Sequence, residues 1–266
     1  MTGTVGALLA DDLRRGLLAI VDVPMRDAWL ADRLHTLPPT DAAAVLDAVC
    51  QGAEQASPHD REVLLSVVRV LLGPDAGPLV ESLRRHAASS AHLALGRFLR
   101  WPTYRGGHAP LADPEGRAVP LSSGRTLTLG ERKSLARRPD RRSFDLLLRD
   151  PHPAVIHMLL ANPRLTEDDV LRLAARRPAF PDVLALIARS PRWSARPRVR
   201  VALVINPSTP PEIAVPMVLL LVKPELQLVV ELTDAKLPVR AAALELLRRR
   251  PPQLDDRPPD EEGQVQ

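Results

Sequence analysis

Apolar residues recur at three- and four-residue intervals along much of this chain, the spacing that places them on one face of a helix. The first such stretch includes Leu9, Leu13 and Leu17. β-branched and aromatic residues, which favour strands, are scarce beside leucine and alanine. The pattern therefore predicts an all-α fold, with at most a small hairpin in which residues 117–121 pair with 125–129.

The helical pattern divides the chain into four parts. Residues 1–100 predict about six helices, which are either degenerate repeats or a separate cap. We favour repeats, because each short helix there lacks a partner of its own. Residues 101–127 are rich in proline and glycine and predict a linker, residues 128–251 repeat, and the acidic tail at 252–266 predicts disorder.

Three helix starts in the repeating region share the pattern T-x-x-[DE], in which the threonine and the carboxylate exchange hydrogen bonds at the helix N-terminus. The pairs are Thr128 with Glu131, Thr166 with Asp169 and Thr209 with Glu212, at spacings of 38 and 43 residues. Prolines at 163, 207 and 251 recur 44 residues apart. Because proline interrupts helices, we predict three units of three helices each, at about 128–163, 166–207 and 209–251.

Repeats of this length, built from two or three short helices, resemble the HEAT and armadillo solenoids. The T-x-x-[DE] starts and the Asn-Pro ends also resemble an uncharacterised bacterial HEAT-like group. The resemblance covers residues 128–251 and implies a right-handed α-solenoid that acts as a binding scaffold and not as an enzyme. In armadillo proteins the third helix of each unit lines the groove, and here those helices are expected at about 153–162, 197–206 and 239–250.

Two asparagines fall on these third helices. In armadillo proteins a ladder of asparagines grips an extended peptide, so Asn162 and Asn206 are candidate partner-binding residues. Both stand beside proline at a predicted helix end, and the third unit has Arg250 instead. We therefore favour the alternative, in which each asparagine closes a helix before a turn.

Arginine outnumbers lysine 33 to 3 and is unevenly distributed along the chain. The formal net charge is −2 over residues 1–100, +10 over 101–250 and −4 over 251–266. Stacked units would align the arginines, with Arg138 beside Arg177, into a basic surface. The candidate partner-binding residues on that surface are Arg138, Arg142, Arg177, Arg196, Arg198 and Arg200, with Trp193 among them.

Two functions fit such a surface, and a solvated helix rim is the alternative to both. The first is a protein scaffold whose unidentified partner carries acidic groups, which arginine holds through two parallel hydrogen bonds. The second is binding of DNA or RNA backbone, as on some HEAT-like alkylpurine DNA glycosylases. Those enzymes use an aromatic pocket with a carboxylate, whereas the one tyrosine here, Tyr104, lies in the predicted linker.

The remaining sequence features predict no catalytic, metal or cofactor site and no small-molecule substrate. Cys50 is the single cysteine, so a disulfide framework and a multi-cysteine zinc site are excluded. Phosphate-loop, dinucleotide and nucleophile-elbow motifs do not occur. The longest apolar run, 213–222, contains a proline and is too short to cross a bilayer, so we expect a cytoplasmic, bacterial protein without membrane contact.

Overall fold

The structure is a computed structural model that describes residues 2–101, 126–138 and 140–250. Within these ranges all regular structure is helical, with sixteen α-helices and no strand, which confirms the all-α prediction. The hairpin predicted from 117 to 129 falls mostly outside the described residues, and its last residue, Leu129, begins a helix. The acidic tail lies outside them as well.

The N-terminal region is a bundle built around its third helix. Its helices are α1 (Thr2–Ala19), α2 (Val23–Thr36), α3 (Pro39–Glu54), α4 (Pro58–Leu71), α5 (Gly77–Ser89) and α6 (Leu93–Phe98). Helix α3 packs against α1, α4, α5 and α6. It can do so because apolar residues occupy several of its sides, and Ala43, Leu46 and Val49 are fully buried. The six helices match the number predicted.

Residues 128–250 contain the helices of the three predicted units. The first unit has α7 (Leu129–Arg137), a 3₁₀ turn (Arg141–Ser143), α8 (Phe144–Leu147) and α9 (Pro153–Leu160). The second has four α-helices where three were predicted, because Pro191 begins an additional short helix: α10 (Glu167–Ala175), α11 (Pro181–Arg189), α12 (Pro191–Ser194) and α13 (Pro197–Ile205). The third has α14 (Pro211–Val218), α15 (Lys223–Glu231) and α16 (Leu237–Arg249). In every unit the first helix packs on the last, and neighbouring units meet where α9 contacts α11 and α13 contacts α14.

Prolines mark the beginnings of helices in this region more often than the ends that the sequence indicated. Proline stands at the first or second position of α9 and of every helix from α11 to α16. At these positions the missing N–H would have no partner within the helix, and the fixed φ of proline suits helical backbone. Pro216 is an exception, since it lies inside α14.

Two of the three predicted capping boxes form. The hydroxyl of Thr128 accepts from the N–H of Glu131 at 3.3 Å, and the Glu131 carboxylate accepts from the Thr128 N–H at 2.9 Å. Thr166 and Asp169 repeat this exchange at 3.3 and 3.0 Å. These caps fix the first helices of the first two units at the positions predicted.

The third box does not form, because two prolines follow the threonine. A residue that precedes proline is disfavoured from helical backbone, and Pro210 is accordingly extended before Pro211. Helix α14 thus begins at Pro211, one residue later than the pattern predicts, and Thr209 stands outside its cap. Within the described part of the chain, the Thr209 hydroxyl and one Glu212 oxygen are buried without a hydrogen-bond partner.

The N-terminal bundle packs against the units through α4, which contacts both α11 and α14. Arg69 on α4 joins this helix to α2: its guanidinium donates to both carboxylate oxygens of Asp27, at 2.6 and 2.7 Å. The same guanidinium donates to Ser66 at 2.8 Å and approaches Ser194 of α12 at 3.5 Å. One continuous apolar core therefore runs from the bundle into all three units.

Candidate binding surface and arginine cleft

Asn162 lies inside the first unit and not on its surface. The side chain is 2 % exposed, and its amide nitrogen donates to the carbonyls of Ala136 and Arg138, at 2.8 Å each. Its amide oxygen accepts from the N–H of Arg164 at 3.0 Å. The asparagine thus ties the turn after α9 to the carbonyl end of α7, and no hydrogen-bonding group is left for a partner peptide.

Asn206 has the same place and the same bonds in the second unit. It is 2 % exposed and donates to the carbonyls of Ala174 and Arg176, at 2.6 and 2.9 Å. The amide oxygen accepts from Ser208 N–H at 2.8 Å. The prediction that Asn162 and Asn206 bind a partner is therefore wrong, and both asparagines instead bond helix ends within the units.

Trp193, which was also predicted to bind a partner, fills the junction between the first and second units. Its ring is 2 % exposed, and its indole N–H donates to the carbonyl of Leu160 at 2.8 Å. The guanidinium of Arg192 lies 4.2 Å from the ring centroid and donates to the carbonyls of Asn162 and Leu165 at 2.9 Å. A partner has no access to this tryptophan, because its ring and its N–H are occupied within the protein.

Four of the predicted arginines do lie on the surface. Arg138 and Arg196 are exposed beside the ends of α7 and α13. Arg177 is exposed and pairs with Asp234 at 2.6 Å, and Arg198 pairs with Asp168 at 3.3 Å. The side chain of Arg142 lies outside the described part of the structure. Exposed pairs of this kind are weak, so a partner's carboxylate can replace the internal one.

The alignment between units differs by one residue from the sequence prediction. Asn162 bonds Arg138 where Asn206 bonds Arg176, so Arg138 corresponds to Arg176 and not to Arg177. The sequence similarity between 136–139 and 175–178 had suggested an offset of 39, whereas the bonded carbonyls are 38 apart. The repeated residues Ala-Arg-Arg-Pro indicate the wrong alignment of the two units. The buried side-chain amides of Asn162 and Asn206 fix the alignment, and they lie more than twenty residues further along the chain.

Other arginines of the basic clusters hold the units together. Arg132 is 2 % exposed, and its guanidinium donates to both oxygens of Asp150 at 2.7 and 2.8 Å. Arg141 reaches from the first unit to Asp169 of the second, at 3.0 and 3.2 Å. Some of the arginines that the sequence assigns to a basic surface therefore form ion pairs within the protein.

Arg200 differs from these arginines, because it faces a cleft without a carboxylate partner. The cleft has a volume of about 330 Å³ and lies between α4, α13 and the turn that joins α14 to α15. It is lined by Pro58, Arg61, Glu62, Leu65, Arg200, Leu220 and Val222. The volume is at the lower end of the range for pockets that hold small ligands.

The positive charge at this cleft is partly buried and incompletely bonded. Arg200 donates through one terminal nitrogen to the carbonyls of Ser194 and Ala195, at 3.0 and 2.8 Å. Arg61 donates to one carbonyl at 3.2 Å. The Nε atoms of Arg200 and of nearby Arg250 are buried without a partner. Among the described residues, no carboxylate pairs with any of these three guanidinium groups.

The electrostatics of the three arginines agree with this geometry. Burial lowers the pKa of Arg250 to about 10, the Arg61 charge acts in the same direction, and Glu225 opposes both. Burial also lowers the pKa of Arg200, with Glu225 and Arg61 again acting in opposite directions. Both pKa values fall because burial disfavours the charged form, so a bound anion would stabilise the desolvated charge.

Arg61 is not among the residues predicted from the sequence, because it belongs to the N-terminal region, whose net charge is negative. Arg61 and Arg200 are 139 positions apart, and only the packing of α4 against the units brings them to one cleft. No local spacing could have found this pair.

Two other openings in the surface lack a comparable set of groups. The larger is a mostly apolar groove of about 1010 Å³ between the α1–α2 corner and helices α9, α11 and α12. Two of its polar groups are already in use, since Asp22 caps α2 and Arg192 bonds carbonyls. The smaller cavity, near Phe98, Trp101 and Glu212, has a volume of about 30 Å³, which is too small for a ligand larger than water.

Cys50 and the carboxylates near it are committed to the interior of the bundle. Burial raises the pKa of the Cys50 thiol, and Asp47 and Glu54 raise it further, so the thiol stays protonated at neutral pH. Glu54 accepts two bonds from Arg97 at 2.6 and 2.7 Å, and Asp47 accepts from the N–H of Leu95 at 2.9 Å. These carboxylates fix α6 against α3.

Neither a metal site nor a membrane span is found in the described ranges. No group of three or more histidine, cysteine, aspartate or glutamate side chains there could hold a metal ion. No described helix combines the length and the apolar character needed to cross a bilayer. Comparison of the chain with protein-family models, with curated proteins and with solved structures gives no match.

Proposed function

We propose that this protein is a non-enzymatic helical-repeat scaffold that binds a protein partner through the arginines of residues 128–250. In this proposal the three units form a right-handed α-solenoid of the HEAT or armadillo type. The observation that carries it is the contrast between arginines that pair with carboxylates of the units and arginines that do not. Arg132 and Arg141 pair with Asp150 and Asp169, whereas Arg138, Arg196 and Arg200 have no carboxylate partner among the described residues.

The available arginines favour a partner with acidic groups. A guanidinium holds a carboxylate through two parallel hydrogen bonds, which gives both affinity and orientation. The units also carry the positive charge of the chain, with a net charge of +10 over residues 101–250. A surface of this sign attracts acidic partners and steers their approach.

Nucleic acid is the less favoured ligand, because two of the aromatic rings in the described part of the units are buried. Trp193 and Phe144 are 2 % and 1 % exposed, so neither can stack on a base. A cavity of about 30 Å³ beside Phe98, Trp101 and Glu212 leaves no room for a nucleobase. Binding to DNA or RNA would rest on phosphate contacts alone and would depend steeply on salt.

The non-enzymatic part of the proposal is supported by the roles of the reactive side chains. The Cys50 thiol is buried and protonated, so it is a poor nucleophile. Asp47, Glu54 and Asp169 are each bound to backbone N–H groups or to arginines. These groups stabilise helix ends and contacts between helices.

Affinity capture with a charge-reversed variant tests the proposal. Wild type and the triple variant Arg138→Glu, Arg177→Glu, Arg196→Glu are compared as baits, and both are titrated with random duplex DNA and RNA at low and moderate salt. A protein held by wild type and lost from the variant supports the scaffold. Micromolar nucleic-acid binding that weakens steeply with salt would instead establish the phosphate-binding alternative.

A further inference from the structure

The cleft between α4 and the second and third units combines cations and apolar walls in one opening. Arg61 and Arg200 face it, and the remaining walls include Pro58, Leu65 and Leu220. A small inorganic anion would leave these apolar walls uncovered. A peptide segment with a carboxylate beside an apolar side chain would cover both kinds of surface.

The apolar walls of the cleft favour a side-chain carboxylate of a peptide over a phosphate. Glu62 also lines the cleft, where it pairs with Arg26 at 2.8 Å, and Glu225 acts electrostatically on both Arg200 and Arg250. These two acids reduce the net positive charge at the cleft, so that a single negative charge is enough to balance much of it. Arg61 and Arg200 each donate to backbone carbonyls through one terminal nitrogen only, so each guanidinium retains further N–H donors for a carboxylate.

We propose that this cleft is the anchoring site of the scaffold, where Arg200 and Arg61 hold a glutamate or aspartate of a partner's segment while its neighbouring apolar side chain packs on Leu65 and Leu220. The inference rests on the proposed function and goes further by naming one site and one class of ligand. Arg250 contributes positive charge from the interior without lining the cleft.

The test uses the full chain and a short synthetic peptide, acetylated and amidated, in which glutamate alternates with leucine and serine. A matched peptide carries glutamine for each glutamate. Binding is followed by fluorescence anisotropy for wild type, Arg200→Met, Arg61→Met and the control Arg85→Met. Methionine keeps much of the apolar stem and removes the charge, and Arg85 is exposed on α5, outside both the cleft and the proposed partner-binding arginines.

We expect the glutamate peptide to lose at least about tenfold in affinity with Arg200→Met and with Arg61→Met, and less than about twofold with Arg85→Met. We expect the glutamine peptide to bind wild type at least about tenfold more weakly than its glutamate counterpart. Equal binding of the two peptides would overturn the inference. Tighter binding of a single-stranded oligonucleotide, lost in the same two variants, would overturn it in favour of phosphate.

A measurement on the wild-type protein covers the case in which a variant fails to fold. The arginine Nε–Hε resonances are followed by NMR while the glutamate peptide is added, and the Arg200 and Arg61 resonances should shift. Shifts confined to Arg138, Arg177 and Arg196 would overturn the inference and leave the proposed scaffold intact. Absence of binding would also overturn the inference, and the affinity capture would then decide on the scaffold separately.

Discussion

The side chains of Asn206 and Arg250 occupy equivalent places in successive units, and each donates to the carbonyl that follows the first helix of its own unit. Asn206 reaches Arg176 at 2.9 Å, and Arg250 reaches Leu219 at 3.4 Å. The two residues are 44 positions apart, and their acceptors are 43 apart. Two different side chains thus have the same role: each donates a hydrogen bond to a carbonyl that would otherwise be unpaired at the end of a buried helix.

Removing the amide of Asn206 should destabilise the protein strongly. In Asn206→Ala the carbonyls of Ala174 and Arg176 and the N–H of Ser208 lose their partner, which should cost about 2–4 kcal/mol in the free energy of unfolding. Urea denaturation measures the cost. The control is Gln227→Ala, at an exposed position of α15, which should change the free energy by less than about 0.5 kcal/mol. Equal effects of the two variants would contradict the assignment.

The three threonines should respond differently to substitution. Thr128→Ala and Thr166→Ala each remove a cap and should cost about 1 kcal/mol of unfolding free energy. Thr209→Val should instead be neutral or stabilising, because its hydroxyl is buried without a partner and valine has the same shape. Thermal melts of the three variants suffice as a test, and a loss at 209 equal to that at 166 would imply a third capping box after all.

Gly52 is expected to be intolerant of a methyl group. A Cβ there would lie 2.0 Å from a carboxylate oxygen of Asp60, which pairs with Arg14 at 2.6 Å. Gly52→Ala should therefore cost about 1–3 kcal/mol through overpacking and a displaced ion pair. Gly96→Ala is the matched control: its Cβ meets nothing within 4 Å, and the helix α6 should gain up to about 1 kcal/mol. Denaturant titration of both variants tests this, and a stable Gly52→Ala would refute it.

Asp169 should contribute to the acid sensitivity of the fold. Burial alone would raise its pKa, but hydrogen bonds from Thr166, Arg141 and Arg172 outweigh burial and lower the pKa to about 2. A carboxyl group with a lowered folded-state pKa stabilises the protein above the unfolded value of about 4, and loses this contribution as the pH falls to about 2.

The corresponding measurement is the free energy of unfolding between pH 6 and pH 2 for wild type and Asp169→Asn. The difference between them should be about 2 kcal/mol or more at neutral pH and should shrink towards pH 2, because the charged pairs are then lost in wild type too. Stability curves that stay parallel over this range would mean that the Asp169 carboxylate is not responsible.

Local chemistry made the repeats predictable from the sequence, because each cap depends on two residues three positions apart. Thr128 and Thr166 located the starts of α7 and α10 for that reason. The same rule failed at Thr209, where Pro210 and Pro211 shift the helix start by one residue. The conflict between a capping motif and a residue that precedes proline is visible in the sequence and is decided by backbone sterics.

The candidate site could be predicted only in part. Exposure of Arg138 and Arg196 follows from their places beside helix ends, but burial of Trp193 depends on the turn of a different unit, which supplies the carbonyl of Leu160. Arg61 joins Arg200 through contacts of α4 with two units more than a hundred residues away. Such long-range packing has no signature in residue spacing.

Helix α4 touches α11 of the second unit and α14 of the third, and Arg69 fastens it to Asp27 within the bundle. An array held only by nearest-neighbour contacts can lose its last repeat without consequences elsewhere. Here, removal of the third unit would strip α4 of one of its two supports and expose apolar surface close to the N-terminal end of the protein. Shortening the chain from its C-terminal side should thus weaken the bundle as well, and the length of the array is not freely adjustable.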